Sequence, residues 1–567
     1  MKIYTYDAIV VGTGAAGLNA ACRLKEQGVK VAIVTEGINC GTSRNTGSDK
    51  QTYYKLGLSG DSPDSVRKMA QNLFDGGSVD GDNALIEAAL STRCFMNLCE
   101  LGVEFPTNRY GEYVGYKTDH DPYARATSAG PLTSKYMTEA LQKRAKNLGV
   151  EIFDGYYAAR ILKADDRVCG IICIKENEAV AFRCADLILA TGGPAGIYAD
   201  SAYPDCHTGS SGLAILAGAK MQNLALWQYG LASVNPRWNV SGTYMQVLPR
   251  FVSVDKQGTE HDFLWDHFTD RYEGLSLIFL KGYQWPFTPQ NRSSEIDLLV
   301  FAEKAKGRRV YLDFTKNPFE LDFSKLSDEA FGYLNKAEAL FGKPIDRLSK
   351  MNAPAIALYK SKGVDLYHEP LEIALSAQHN NGGIAVDLWW QTSVKGLFAA
   401  GECAGTHGIS RPGGAALNAG QVGSLRAAQY IARHPNTLIE ETAFLQILSN
   451  HPLKAVAHQN EKIRAVQRRM SDHAAAVRNP DQIQALLQNT LDELKYAEDP
   501  KLKDILITQA AVLTAMAQPM TDPAKVQEIA WEDNRFTVSV RDVRPIPQTD
   551  DFFETIWQSY RENKNIY

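Results

Sequence analysis

Short, largely apolar runs of strand length recur along this chain, and most of them run into glycine. Ala8-Ile9-Val10-Val11 leads to Gly12, and Ala185-Asp186-Leu187-Ile188-Leu189-Ala190 leads to Thr191-Gly192-Gly193. Gly396-Leu397-Phe398-Ala399-Ala400 leads to Gly401-Glu402, and Val31-Ala32-Ile33-Val34 forms a fourth run. Continuous apolar runs this short predict strands of a parallel sheet covered on both faces. Helical spacing follows the first run over Leu18–Leu24, and recurs from about Ser65 to Leu101 and from Tyr136 to Leu148. Val150–Phe153 reads as a strand entering a meander that includes Gly170–Ile174. Residues 36–56, rich in Gly, Ser, Thr and Asn, read as a loop wrapped around a ligand. The alternation predicts an α/β fold.

Residues 233–354 differ in character, with many aromatics and prolines and no nucleotide motif, which predicts a separate lobe. From Arg433-His434-Pro435 onward the chain reads as helical and charged to its end. The expected division is 1–232 and 355–432 for a nucleotide-binding domain in two parts, 233–354 for a capping domain, and 433–567 for a helical domain. At 567 residues the chain is long enough for three or four units of ~150 residues. Sixty basic against 65 acidic residues give a net charge of −5, which argues against nucleic acid or an anionic membrane as partner. The nine cysteines form no CxxC and no metal-ligand spacing, so reduced, mostly buried thiols in a cytoplasmic setting are expected. The first strand begins close to Met1, which predicts no leader, and no apolar run reaches membrane-spanning length.

The first glycine group carries specific chemistry. Gly12 permits a tight turn, Gly14 lets backbone approach a pyrophosphate, and Gly17 lets helix and strand pack closely. Ala15 and Ala16 begin the helix, whose free N–H groups and positive dipole end suit phosphate. Glu36 follows the second strand at roughly the 20-residue spacing of a ribose-binding acid, with Gly37 beside it. Strand, turn, helix and acid in register point to a bound dinucleotide.

Three separated segments resemble one family: Gly12–Glu36, Leu189–Tyr198 (Leu-Ala-Thr-Gly-Gly-Pro-Ala-Gly-Ile-Tyr) and Gly396–Leu417, which contains Ser-Arg-Pro-Gly-Gly. Together with Ala377–Asp387 and Gly307–Asp313 they resemble the flavoproteins of fumarate reductase, succinate dehydrogenase and L-aspartate oxidase. That resemblance implies a Rossmann-like FAD-binding domain with an inserted α+β capping domain and a C-terminal helical domain. It implies FAD contacts from Thr42 and Ser43, from Thr191, Gly192 and Gly193, from Gly401 and Glu402, and from Ala416 and Leu417 near the pyrimidine edge. The loop Cys40–Ser48 lacks the histidine that tethers a covalent flavin, so a noncovalent FAD is expected.

The departures bear on substrate. Where the dicarboxylate enzymes carry a histidine, a second arginine and another histidine, this chain has Gly230, Ser294 and Gln378; only Arg411 is kept. An arginine fork suits a carboxylate, and losing one of two disfavours fumarate. Arg411 is therefore expected to anchor a carboxylate or polarise a carbonyl. His379 and His407 are candidates for proton transfer or for structural hydrogen bonding. Arg292 and Arg308 are candidates to replace the lost arginine, and Tyr229 reads as an aromatic wall or an acid. The expected activity is hydride exchange at an activated C–C bond, most simply as an ene-reductase. Oxidation of an amino or hydroxy acid, or an electron-relay role, are the alternatives. Electrons would come from a nicotinamide or a partner protein.

Overall fold

The computed structural model describes residues 1–60, 63–453, 456, 458–548 and 552–562. A five-stranded parallel sheet runs in the order Leu397–Ala399, Asp186–Leu189, Ala8–Val11, Val31–Thr35, Glu151–Asp154. The apolar runs of the sequence make four of its strands, and the Val150–Phe153 run makes the fifth. Helices Ala15–Glu26, Thr133–Asn147 and Ala415–Arg433 pack together with the sheet. Asn19, buried in the first helix, donates to Gln421 O (3.1 Å) and Ser424 Oγ (2.8 Å) of the last, joining segments four hundred residues apart in sequence. The predicted 65–101 helix is two helices, Val66–Phe74 and Gly81–Glu100, broken at Gly76-Gly77. The Gly170–Ile174 segment lies in a four-stranded sheet of Lys2–Thr5, Glu178–Arg183, Arg167–Lys175 and Tyr157–Ala164.

The lobe over the cavity is built on a six-stranded antiparallel sheet, apart from its helices. Its central strands include Trp227–Ser233 and Leu371–Asn380, which lie outside the expected 233–354 segment. The first of them reads as part of the nucleotide-binding domain because the run into Trp227 carries no break in composition. The lobe rests on the ligand loop through Asp49, which accepts from Thr243 N (2.8 Å) and Thr243 Oγ1 (3.0 Å), while Asn352 reaches Asp49 O.

The tail corrects one expectation. After helices Glu441–Asn450, Asn460–His473, Pro480–Leu494 and Pro500–Ala517 it does not continue as helix. Lys525–Glu532 and Arg535–Asp542 form a β-hairpin that joins Met221–Gln222 and Gly383–Ile384 in one sheet. Val526, Gln527 and Ile529 of its first strand are buried, and Arg541 of the second pins the hairpin by a fork on Asp80 at 2.8 Å.

Candidate active site

One cavity of about 1060 Å³ lies between the parallel sheet and the lobe. Gly12, Gly14, Ala15, Ala16, Glu36, Gly37, Thr42, Ser43, Thr191 and Gly192 line its inner part, and Gly401, Glu402, Ala416, Leu417, His379 and Arg411 its outer part. Gly12 adopts φ +110°, and a Cβ there would fall 2.4 Å from Ala190 O. Gly17 does not line the cavity; its missing side chain lets helix meet strand, since a Cβ would lie 2.1 Å from Gly12 O. Gly193 likewise makes room, for the Glu402 carboxylate at 2.3 Å from its Cβ position.

Two helix N-termini open on this cavity, that of Ala15–Glu26 after Gly14, where Ser43 Oγ accepts from Ala15 N at 3.3 Å, and that of Ala415–Arg433 after Gly414. Each presents orphan N–H groups and the positive end of its dipole. Glu36 faces the cavity and accepts from Lys501 Nζ (2.5 Å) and Thr208 Oγ1 (3.2 Å). Lys501 comes from the helical tail, a neighbour that no local pattern announces. Asp504, one turn further, is buried beside Gly212. Burial pushes its carboxyl up to about 7.

At the outer end, Arg411 is buried and donates from Nη2 to Gln228 Oε1 at 2.7 Å. Among the described residues it forms no ion pair, and its Nε has no hydrogen-bond partner. His379, also buried, shares a hydrogen bond between Nδ1 and Asn381 Oδ1 (2.9 Å), leaving Nε2 unpartnered. Asn381 Nδ2 points to Ile409 O, which assigns its oxygen to the histidine and the proton to Nδ1. Burial and the neighbouring Arg411 hold His379 well below the usual histidine range, so Nε2 is a free lone pair. Glu402 sits 3.8 Å from that nitrogen, hydrogen-bonded to Tyr203 and Asn380 N, its carboxyl raised by burial to about 7.

The other candidates fall elsewhere. His407 packs against His379 (ring centroids 5.0 Å) behind the cavity wall rather than on it. Arg292 is exposed and held by Glu273 and Glu295, and Arg308 is paired with Glu303 at 2.7 Å. Neither reaches the cavity, because each has a carboxylate close by in its own lobe. Tyr229 points away to Tyr198 and Arg478, so it is neither wall nor acid of this site. Residues not foreseen from sequence enter from the lobe: Asn239, Gln246, Trp285 and Tyr333. Their only sequence signal was the richness of the insert in aromatics.

The profile of the FAD binding domain matches residues 7–417. The chain belongs to that family. This flavoprotein is 27% identical over 465 residues to one of the subunits of the fumarate reductase (CoM/CoB) of Methanothermobacter marburgensis, covering 78% of this chain and 76% of that one. It is 25% identical to L-aspartate oxidase of Mycobacterium leprae, covering 90% and 89%. Among solved structures, Sdh1 of Mycobacterium smegmatis in complex with UQ1 superposes with TM-score 0.70 at 19% identity, covering 97% of this chain and 95% of that one. A quinol-fumarate reductase with menaquinol superposes with TM-score 0.70 at 18% identity, over 97% and 99%. The flavoprotein is thus an FAD-dependent oxidoreductase of the fumarate reductase and L-aspartate oxidase family, with the fold of the fumarate reductase flavoproteins.

The residues present fit FAD. The two helix starts suit a pyrophosphate and an electron-rich ring edge. Buried polar atoms without partners, Thr191 Oγ1 and Gln421 Oε1, belong to residues that line the cavity where a ligand would satisfy them. Among the described residues no group of three or more His, Cys, Asp or Glu could hold a metal ion, and no helix is long and apolar enough to cross a membrane.

Proposed function

We propose that this flavoprotein, with FAD held noncovalently, reduces the C=C bond of a carboxylate- or carbonyl-activated organic substrate other than fumarate. The observation that carries the reading is Arg411, a buried guanidinium at the cavity wall with an unpaired Nε and no carboxylate partner among the described residues. A buried charge left without its counter-ion is costly, so a ligand anion or developing oxyanion belongs there. Noncovalent attachment is supported by the loop 40–48, whose cavity-lining residues include no histidine.

Bound FAD would supply the hydride. Arg411 would grip the substrate's carboxylate or carbonyl and draw electron density away from the double bond. Its charge helps to keep His379 neutral, and an anion on Arg411 cancels that field. His379 Nε2 then takes up a proton more readily and would hold it at the cavity wall for transfer to carbon. Closure of the lobe on Asp49 would exclude water. Reducing equivalents would come from a nicotinamide or a partner protein; the methanogen relative, which is one part of a larger fumarate reductase, is consistent with the second.

One observation favours a second reading. His379 Nε2 is a base as it stands, suited to take a proton from an amino or hydroxy acid being oxidised. Two anaerobic panels separate the two. Photoreduced holoenzyme reoxidised by α,β-unsaturated acids or ketones supports reduction; oxidised holoenzyme bleached by amino or hydroxy acids reverses the direction and overturns it.

A further inference from the structure

The lobe loop after helix Arg271–Leu280 carries Trp285 to the cavity wall, where its indole is half-buried. It is fastened from beneath. Lys281, buried and paired with Asp297 at 2.7 Å, donates to Gln284 O (2.9 Å) and Trp285 O (3.0 Å). Phe287 N donates to Tyr229 O at 2.7 Å, so the loop is held on both sides of the tryptophan.

The indole occupies space that the neighbouring strand leaves open. A Cβ at Gly230 would lie 3.0 Å from Trp285 Cε3 and 3.0 Å from Gln378 Nε2. Gln378 is spent on the protein itself: Nε2 donates to Leu231 O (3.1 Å) and Oε1 accepts from Asn239. Gln228 holds Arg411 and pairs in register with His379. From Arg411 toward the lobe, then, the wall passes through neutral amides to an aromatic face, and the charge that the lobe adds, Glu329, is an acid that accepts from Tyr283 Oη. Lys281 is already neutralised by Asp297. Lys50 and Lys117 line the cavity too, but both are exposed, so water screens any ion pair they would make.

We propose that the end of the substrate remote from Arg411 is a flat, uncharged, conjugated group that stacks on Trp285, so that the site takes an aryl-substituted monocarboxylate in preference to a short dicarboxylate. This rests on the reading of the cavity as a substrate site anchored by Arg411. A second carboxylate carried toward the lobe would lose its hydration and meet amides already hydrogen-bonded elsewhere. A flat ring there would bury apolar surface and stack on the indole.

The test uses the oxidised, FAD-loaded protein, titrated with trans-cinnamate and with fumarate. Perturbation of the flavin absorption band and the heat of binding are the readouts. Cinnamate is expected to bind at least about tenfold tighter than fumarate. Trp285→Ala is expected to weaken cinnamate about tenfold and to leave fumarate within about twofold. Should that variant fail to retain FAD, Trp285→Leu keeps apolar bulk without the ring face and is expected to show the same loss. Fumarate binding as tightly as cinnamate, no binding of cinnamate, or a cinnamate affinity indifferent to these variants would overturn the proposal. Cinnamate that binds through Trp285 without reoxidising photoreduced flavin leaves this inference standing and sinks the reduction reading instead. Reoxidation by an α,β-unsaturated monocarboxylate without an aryl group, with no cinnamate binding, does the reverse.

Discussion

Arg411 Nη2 donates to Gln228 Oε1 at 2.7 Å, so a neutral amide rather than a carboxylate positions this buried guanidinium. The amide fixes its orientation without neutralising its charge. Burial pulls the guanidinium below its ordinary range, a sign of how little water reaches it. Carboxylates at Asp119, Glu402 and Glu87 act on it only through space, and Glu87 and Glu402 are themselves raised toward protonation by burial.

Replacing Arg411 by alanine is expected to leave flavin content nearly intact and to lower turnover ~100-fold or more, as loss of an interaction made with the reacting substrate. Lysine should not restore it, because a point charge lacks the fork. Flavin content and turnover per bound flavin decide the matter: loss of FAD with unchanged activity per flavin would make Arg411 a cofactor ligand.

Anion binding is expected to draw a proton into the site. His379 is held neutral by burial first and by Arg411 second, and a bound carboxylate removes the second cause. Mixing oxidised holoenzyme with an unreactive carboxylate in weakly buffered indicator solution near neutral pH should show net uptake. His379→Asn should abolish it while FAD stays bound. Equal uptake in the variant would place the proton elsewhere.

Glu87, buried and hydrogen-bonded to Thr406 Oγ1 at 2.9 Å, has its carboxyl pushed up to about 8 by burial, against about 4.5 when unfolded. The folded state holds a proton that the unfolded chain has released between these values. Its contribution to stability is therefore full below pH 4.5 and is lost progressively as pH rises to about 8. Glu87→Gln mimics the protonated form. The difference in Tm between variant and parent should shift in the variant's favour from pH 5 to pH 8; a pH-independent difference would refute the assignment.

Gly12→Ala is expected to yield apoprotein. The added Cβ would sit 2.4 Å from Ala190 O at φ +110°, which strains the turn that meets the pyrophosphate. Gly41→Ala, with positive φ but no atom within 4 Å of its Cβ position, should keep FAD better. The absorbance ratio at the flavin and protein bands reports both; equal flavin loss in the two would show that strain alone, not the Ala190 contact, sets the requirement.

The glycine turn at the cavity was legible in the chain itself because its demands are local. A strand must end, backbone must turn at positive φ, and a helix must start within a few residues, so Gly12, Gly14, Gly17 and Glu36 declare themselves by spacing. Thr191-Gly192 and Gly401-Glu402 repeat the same strand-to-turn logic. The loss of the second arginine was equally plain, since residue type alone shows it. What faces the far side of the cavity was decided only by the tertiary structure. Trp285, Asn239 and Gln378 meet there through the pairing of Trp227–Ser233 with Leu371–Asn380, strands separated by a whole lobe. The same long-range packing brought Lys501 to Glu36 at the cavity wall and seated the Lys525–Asp542 hairpin against Met221–Gln222. A side chain's direction in a sheet depends on a partner strand distant in sequence, and a charge settles on the carboxylate that folding brings nearest. Neither is written in the local pattern.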